Sequence, residues 1–398
     1  MNIYYSIVDA YPAFRVDLAE LFGVELRKLG LKTEWFMRSG ENVQVGKAES
    51  YAGQRINLAP ALRGWPGPVR RAAYWISDAI GLLGQILRRP DALQCRDKYV
   101  ASVVGLFVAR LIGRPFFYWC SYPFPEHAAL SAEQRGGMKR QLLLLKAKVQ
   151  FWLLYRVICK QADHVFVQSE QMLLDMAGYG VSPERMTPVP MGVSARMEQW
   201  VDSHRVAVVP GRFVYLGTLA SVRRLEMLVD AFALVAAQFP QAELLFVGDG
   251  DLPQERQNLQ AYVERLGLTQ RVRFTGFIPM EEAWHLAASA AVCLSPFYPA
   301  QVLRSTSPTK LVEYLALGRP VVCNDHPEQS RIMAECGAGL CVEWSASAFA
   351  GAMLQLARDP EDAERRGQLG PAWVRAHRTY PIIAQRVWAV YQRLVGRA

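Results

Sequence analysis

From residue 212 onward, short runs of apolar or β-branched residues alternate with longer stretches in which apolar positions recur every three or four residues. A strand buried on both faces reads as an unbroken apolar run, so the short runs predict strands over 213–216, 243–247, 272–275, 292–295, 320–323 and 339–342. The longer stretches predict helices over 225–238, 259–266, 281–288, 309–317, 328–335 and 347–358. Strict alternation of the two implies a parallel sheet covered by helices on both faces. The first half repeats the theme less regularly, with strands over 3–8, 33–36, 92–95, 115–120 and 164–167 and helices over 18–29 and 101–112. The chain therefore reads as α/β, with two doubly wound domains. Both periodicities lapse between Gly192 and Pro210, which predicts a first domain over 1–200 and a second over 201–375, followed by a last helical segment over 376–398.

A length of 398 residues suits two domains at roughly 100 to 200 residues each. With 51% hydrophobic and 20% charged residues, the chain has enough apolar material for sizeable cores and is not globally disordered. Lys and Arg outnumber Asp and Glu by 45 to 36, and the excess is uneven: residues 1–200 hold 25 basic and 17 acidic side chains, the remainder 20 and 19. Any anionic surface is therefore expected to meet the first half. The seven cysteines are scattered, with no CxxC pair and no histidines at metal-ligand spacing, which argues against a disulfide framework or a zinc site. The opening MNIYYSIVDAYP lacks a basic segment followed by an apolar one, so no secretory signal is expected and the chain reads as cytoplasmic. The apolar stretch 283–303 contains His285, Pro296 and Pro299, which makes it a poor spanning helix.

In open α/β sheets ligands bind beyond the carboxyl ends of the strands, so the residues just after each strand are the ones to question. Gly217 and Thr218 follow a strand and precede Arg223 and Arg224; a glycine admits a ligand to the backbone, and guanidinium groups chelate phosphate oxygens. Val247-Gly248-Asp249-Gly250 is a second such turn. In Ser305-Thr306-Ser307-Pro308-Thr309-Lys310-Leu311-Val312-Glu313, Ser307 suits a helix N-cap and Pro308 the first helical position. Lys310 then falls in the first turn, where the helix dipole disfavours a cation unless an anion lies between them, so a phosphate is expected at this helix start. Glu313, one turn on, is placed to accept hydrogen bonds from a sugar or ribose diol. Thr275-Gly276-Phe277-Ile278-Pro279 ends a strand with backbone groups able to read a base edge. Each segment taken singly also fits an ordinary role: surface arginines, a tight turn, a capped helix with a solvated lysine, a loop.

Taken together and in order, YLGTL, RRLEMLVDAF, LLFVGDG, RVRFTGFIP, SPTKLVEYLALGRPVV and GAGLCVE resemble the nucleotide-sugar-binding domain of the GT-B glycosyltransferases of family 4. Val189-Pro190-Met191-Gly192-Val193 is similar to the family's inter-domain segment. The resemblance implies two Rossmann-like doubly wound domains facing a cleft, with the C-terminal helix of 376–398 packing back on the first, and transfer of a sugar from a nucleoside diphosphate sugar to an acceptor hydroxyl. Anomeric configuration would be retained, with no metal and no cofactor. It further implies that the Gly217 turn, Arg223 and Arg224 hold the diphosphate with backbone amides around Thr309 and Lys310, that Glu313 binds the ribose, and that Phe277 and Pro279 flank the base. The sequence departs from the family at three places. Thr218 stands where an arginine is usual, Ser305 replaces the first acid of a Glu-x7-Glu pair, and residues 9–17 lack the usual glycine pair, with Arg15 as the positive group in their stead.

On the acceptor side, the strand ending at Cys120 runs into Ser121-Tyr122-Pro123-Phe124-Pro125-Glu126-His127. Glu126 and His127 are candidates for acceptor binding or proton transfer, with Tyr122 and Arg15 beside them; a structural role fits each of them as well. Segments 63–89 and 136–160 mix cations with Trp, Tyr and Leu and read as membrane-surface helices, though the second has no clean polar face and also suits a partly buried connector. Neither lies in a recognised nucleic-acid-binding module, so nucleic acid is not an expected partner. These features point to a lipid-linked saccharide acceptor at the cytoplasmic face of the inner membrane, as in bacterial polysaccharide or lipopolysaccharide assembly. Two other classes stay open: a catalytically silent GT-B nucleotide-binding partner in a biosynthetic complex, and a nucleotide-sugar epimerase.

Overall fold

The computed structural model describes residues 1–11, 15–39, 54–59, 64–133 and 136–396. It divides the chain into two compact units, one of Met1–Pro190 with Tyr380–Ala398, the other of Met191–Thr379. Among the described residues of the first unit are β1 (Asn2–Tyr11), β2 (Lys32–Ser39), β3 (Ile56–Ala59), β4 (Ala92–Arg96), β5 (Phe116–Cys120), β6 (His164–Val167) and β7 (Met186–Pro188). They pair in the order β3-β2-β1-β4-β5-β6-β7, every pair parallel. The second unit contains β8 (Val209–Leu216), β9 (Glu243–Val247), β10 (Val272–Phe274), β11 (Ala290–Ser295), β12 (Val321–Asn324) and β13 (Gly339–Val342), in the order β10-β9-β8-β11-β12-β13 and again all parallel. Each sheet reverses its winding once, between β1 and β4 in the first unit and between β8 and β11 in the second. Two doubly wound, Rossmann-like domains result.

The apolar runs become strands because helices cover both faces. All five residues of β4 and all five of β5 are buried, and the first unit's core lies in two layers, one on each side of its sheet. The last helix, Tyr380–Val395, belongs to the layer around Phe22, Trp35 and Phe117. Its Tyr391 hydroxyl donates to Gln94 Oε1 at 2.6 Å from inside that layer.

Several boundaries differ from expectation. The unit boundary falls at Pro190/Met191, before the expected 200/201, because Ala195–Ser203 is a helix of the second unit that buries Met197 and Trp200. Only two of its nine residues are buried, too few to show as a period. The second crossing falls at Thr379/Tyr380, after the expected 375/376, since Thr379 pairs with Val193 inside the second unit. Strands β3 and β7 went unread because they are short edge strands, INLA and MTP, whose polar and half-buried residues make no unbroken apolar run. The predicted helix over 18–29 is wound in wider π-type turns over Asp17–Glu25 before a last α turn, Leu26–Lys28. Polar residues hid the start of the helix Pro253–Arg265, and the region of Glu126 and His127, read as a loop, is the first turn of a helix, Phe124–Glu133.

Candidate functional site

In the second unit β8 and β11 are neighbours whose connections leave to opposite sides, so the loops at their carboxyl ends part and leave room for a ligand. The turn after β8 opens with Gly217, whose φ of 144° suits only glycine. Its missing side chain makes room for Lys310, since a Cβ there would lie 1.7 Å from Lys310 Cε. Gly248, φ 131°, closes the turn after β9; a Cβ on it would lie 2.3 Å from the Gly217 carbonyl oxygen. Gly217 N donates to Val247 O and Leu219 N to Asp249 O, both at 2.8 Å, which ties the two turns together. A bridge between Gly248 and Gly276 adds the turn after β10, where Thr275 Oγ1 accepts from Gly248 N at 3.3 Å. Three strand ends thus form one shelf of backbone.

Three cations stand on that shelf. Arg223 Nε donates to Thr218 Oγ1 at 3.0 Å, so the residue found where an arginine was expected orients the arginine that remains. Arg224, in the left-handed region at φ 51°, lies over the Tyr298 ring at 5.8 Å, and Lys310 Nζ lies 5.7 Å from the centre of the Tyr215 ring. None of the three is in an ion pair among the described residues. Burial, and after it the charge of Arg223, lowers the Lys310 ammonium to about 7, with Glu313 opposing. Burial likewise raises the Glu313 carboxyl to about 7, with Lys310 opposing. Like charges held close without a counter-ion disfavour each other, and a dianion set between them relieves both.

The helix that carries Lys310 and Glu313 is Thr309–Ala316. Contrary to expectation, Ser307 does not cap it. Ser307 Oγ accepts from Met191 N at 2.9 Å, and Pro308, with ψ 77°, occupies the cap position without a side-chain bond. A residue before proline is kept out of the helical region, which leaves the Ser307 hydroxyl to the incoming chain. Thr309 N is taken by Ser307 O at 3.0 Å, so Thr309 offers no amide of its own; by helix geometry the next two amides, of Lys310 and Leu311, are the ones without an intrahelical acceptor. The buried Tyr314 hydroxyl accepts from Leu216 N at 2.7 Å and pins this helix to the end of β8.

The loop before that helix is held by residues the sequence reading passed over. The Asn324 side chain brackets Phe297, accepting from its N at 2.7 Å and donating to its O at 2.9 Å. His326 Nε2 meets Leu303 O at 2.8 Å, and burial holds the imidazole pKa below its usual value. Polar residues directly after an all-apolar strand, as in VVCNDH, were the available signal. Ser305 is buried, and a hydroxyl stands where a carboxylate was expected. Phe277 is 74% exposed beside the Gly248–Gly276 bridge, and Pro279 occupies the cap position of Met280–Ala288.

The first unit gathers a different cluster at the carboxyl ends of its strands. Arg96, fully buried at the end of β4, donates from Nη2 to Asp17 Oδ2 at 2.8 Å and lies 3.9 Å from Asp9 and 3.8 Å from Asp97. Asp97 has φ 55° and accepts from Ser121 N at 3.0 Å and from the Ser121 hydroxyl; burial pushes its carboxyl up to about 6. Burial would also raise Asp17, but Arg96 and Arg15 hold it below the usual carboxylate range. Next to it, Lys98 Nζ reaches Asp78 at 2.6 Å and Ser6 at 3.0 Å. The readable signal was Arg-Asp-Lys closing a wholly buried strand.

The proposed acceptor-side residues are only partly brought together. Arg15 is spent on Asp17, 3.1 Å from Nε to Oδ1, so its charge is already compensated. Pro12, Ala13 and Phe14, beside it in the loop that lacks the glycine pair, lie outside the described residues. Tyr122 and the exposed His127 meet at 2.9 Å, hydroxyl to Nδ1. Glu126 points elsewhere: Tyr155 donates to its Oε1 at 2.8 Å within the helical layer, and burial raises its pKa. Arg63, at the start of the first basic segment, also lies outside the described residues.

Two doubly wound parallel domains, the second with a cationic shelf at its switch point, define a GT-B protein. The family described as "Glycosyl transferases group 1" matches residues 210–359, and that described as "Glycosyl transferase 4-like domain" matches residues 19–192. The chain therefore carries a glycosyl transferase 4-like domain in its first half and a group 1 glycosyltransferase domain in its second. It is 29% identical over 191 residues to the phosphatidyl-myo-inositol mannosyltransferase of Mycolicibacterium smegmatis, 47% of this chain and 46% of that protein, so it spans about half the length of that relative. It is 27% identical over 349 residues to the 2-deoxystreptamine glucosyltransferase of Streptomyces kanamyceticus, 81% of this chain and 83% of that one. The fold is shared with sucrose-phosphate synthase of Thermosynechococcus elongatus, TM-score 0.74 at 19% identity with both chains wholly covered. It is shared also with Anabaena HepE in complex with UDP-glucose, TM-score 0.66 at 16% identity, covering 99% of this chain and 100% of that one.

Proposed function

We propose that this chain transfers a sugar from a nucleoside diphosphate sugar to an acceptor hydroxyl, with retention of configuration and without a metal ion. One observation carries the reading: Arg223, Arg224 and Lys310 have no ion-pair partner among the described residues, and Arg223 and Lys310 converge on the Gly217 turn at the start of the helix Thr309–Ala316, with Arg224 over the Tyr298 ring. Preorganised cations and amides of this kind stabilise a leaving diphosphate as its charge develops. In this reading Glu313 accepts from the ribose hydroxyls, and the exposed Phe277 ring, with Pro279, flanks the base. The relatives named above act, by their names, on phosphatidyl-myo-inositol and on 2-deoxystreptamine; HepE was solved with UDP-glucose, which supports a nucleotide-sugar donor.

The acceptor we propose is a lipid-linked saccharide met at an anionic membrane surface on the cytoplasmic side, in bacterial polysaccharide or lipopolysaccharide assembly. Among the described residues no helix is long and apolar enough to cross a membrane. The support is a surface of the first unit on which the helices Gly67–Leu83 and Tyr99–Ile112 pack side by side and expose Trp75, Ile76, Ile80 and Phe107, with Arg70 and Arg71 exposed nearby. The helix Gly137–Phe151 exposes Leu142, Leu145 and Val149 among its cations. Rings and aliphatic groups flanked by cations suit an anionic interface. The silent reading draws on Ser305, which offers no carboxylate to a donor sugar. A screen of uridine, guanosine and adenosine diphosphate sugars, with and without lipid-linked acceptors, separates them: turnover supports transfer, binding without turnover over all acceptors supports the silent protein, and interconversion of free donor with no acceptor supports an epimerase.

Donor affinity is expected to peak near pH 7. Above it the unliganded protein holds Lys310 neutral, so binding must take up a proton and affinity falls as pH rises. Below it Glu313 is protonated, and its carboxylate must be regained to accept from a diol, so affinity falls as pH drops. Calorimetric titration with the selected donor in buffers of different ionisation enthalpy should show proton uptake on the alkaline side. E313Q should remove the acid limb alone; a flat profile from pH 6 to 9 in the unaltered protein would contradict the assignment.

A further inference from the structure

A cavity of about 430 Å³ opens in the first unit among Asn2 and Ile3, Lys32 and Thr33, and Arg89 and Pro90. These residues sit at the amino ends of β1, β2 and β4, so the cavity lies at the opposite end of the sheet from Arg96 and Asp97. Among the described residues its wall carries five cations, Arg27, Lys32, Arg55, Arg88 and Arg89, against one acid, Glu34. Glu34 ion-pairs with Arg88, and more loosely with Arg55 at 3.8 Å, while also accepting from Asn57 Nδ2 at 2.8 Å. It therefore orients two guanidinium groups and leaves the wall with a large positive excess.

Two buried polar groups set this cavity apart from a merely basic surface. Thr33 is 3% exposed and its Oγ1 has no hydrogen-bond partner among the described residues. Gln85 is 3% exposed; its Nε2 donates to Gly81 O at 2.8 Å, but its Oε1 has no partner among them. Both line the cavity. A buried hydroxyl or amide left unpaired is destabilising, and the protein has kept two beside a ring of cations. The partners that satisfy such a wall are hydroxyl groups on an anionic molecule.

We infer that this cavity is a second ligand site, which takes the phosphate ester of a polyol: cations on the phosphate, Thr33 and Gln85 on the hydroxyls. The chemistry is shared by a soluble polyol phosphate and by a phospholipid headgroup. The headgroup is favoured by the neighbouring surface, because the helical run that ends in Arg88 and Arg89 exposes Ile80, Leu83 and, at 91%, Leu87. The site requires neither the donor shelf nor sugar transfer.

The test uses the full chain. sn-Glycerol 3-phosphate is titrated calorimetrically, and flotation is measured with phosphatidylcholine vesicles with and without phosphatidylglycerol. Wild type should bind the soluble ester saturably, and R88A/R89A should weaken it by about tenfold or more for each cation removed. T33V, which leaves every charge in place, should also weaken it. Flotation that needs phosphatidylglycerol and is lost in both variants assigns the site to a headgroup; soluble binding without such flotation assigns it to a free ester. Wild type that binds neither probe overturns the inference. So does T33V binding both as wild type does, since that pattern would reduce the cavity to diffuse electrostatics. Donor binding by R88A/R89A, and glycerol phosphate binding by K310E, should each match wild type, so failure of one site is distinguishable from failure of the other.

Discussion

K310E is expected to weaken binding of the nucleoside diphosphate donor by about a hundredfold, on the order of 3 kcal/mol, because it removes one charge-assisted contact and sets a carboxylate against the phosphates. R223E should behave alike. K310M separates charge from shape, since a methionine keeps the apolar contact over Gly217 and near Tyr215 while removing the ammonium. In the unliganded protein that ammonium is held against burial and Arg223, so K310M should melt no lower than wild type. Calorimetric titration and thermal melting decide the matter. Unchanged donor affinity in both K310E and R223E would remove the diphosphate from the shelf, and with it the proposed activity.

R96M should destabilise the first unit by about 3–5 kcal/mol, because it leaves Asp97 a buried carboxylate without its cation and Asp17 with only the partly exposed Arg15. Urea denaturation at neutral pH measures it, and D17N/R96M should recover part of the loss. The pH dependence follows from Asp17, whose folded pKa is depressed: its pairing stabilises the wild type above the ordinary carboxylate range, and that contribution fades as pH falls through the depressed value. The gap between wild type and R96M should therefore narrow in acid. A loss under about 1 kcal/mol would mean that Arg15 and water, not Arg96, compensate these carboxylates. The network also sets the end of β4, where Asp97 is held at positive φ against Ser121; ordering of this strand end, the counterpart of the donor shelf in the other unit, is what R96M is expected to cost along with stability.

Legibility along the chain follows burial. Strands such as Glu243–Val247 were readable to the residue because an apolar run sheathed on both sides leaves no other reading, and the edge strand Gly339–Val342 was readable by its apolar composition although Cys341 is exposed. The edge strands β3 and β7 and helices with two buried residues were not, since so few contacts leave no period to detect. The donor shelf was half legible. Gly217, Arg223, Lys310 and Glu313 could be marked because turn glycines and a cation in a first helical turn are local anomalies. That Thr218 orients Arg223, that Lys310 lies over Gly217, and that Ser307 serves Met191 in place of its own helix could not, because each contact joins positions whose separation along the chain carries no information about their separation in space.

Composition and periodicity alone determined that this chain builds two parallel, doubly wound sheets, and family likeness in its second half pointed to a donor site after the strands. Only the folded chain decided that the crossing back falls at Tyr380, that Arg96 gathers three aspartates, and that Thr33 Oγ1 and Gln85 Oε1 lack partners among the described residues of a basic cavity. The physical reason is range. Helix and strand preferences act over a few residues and are written in sequence order, whereas burial, charge compensation and unsatisfied hydrogen bonds depend on which distant residues the sheets bring side by side.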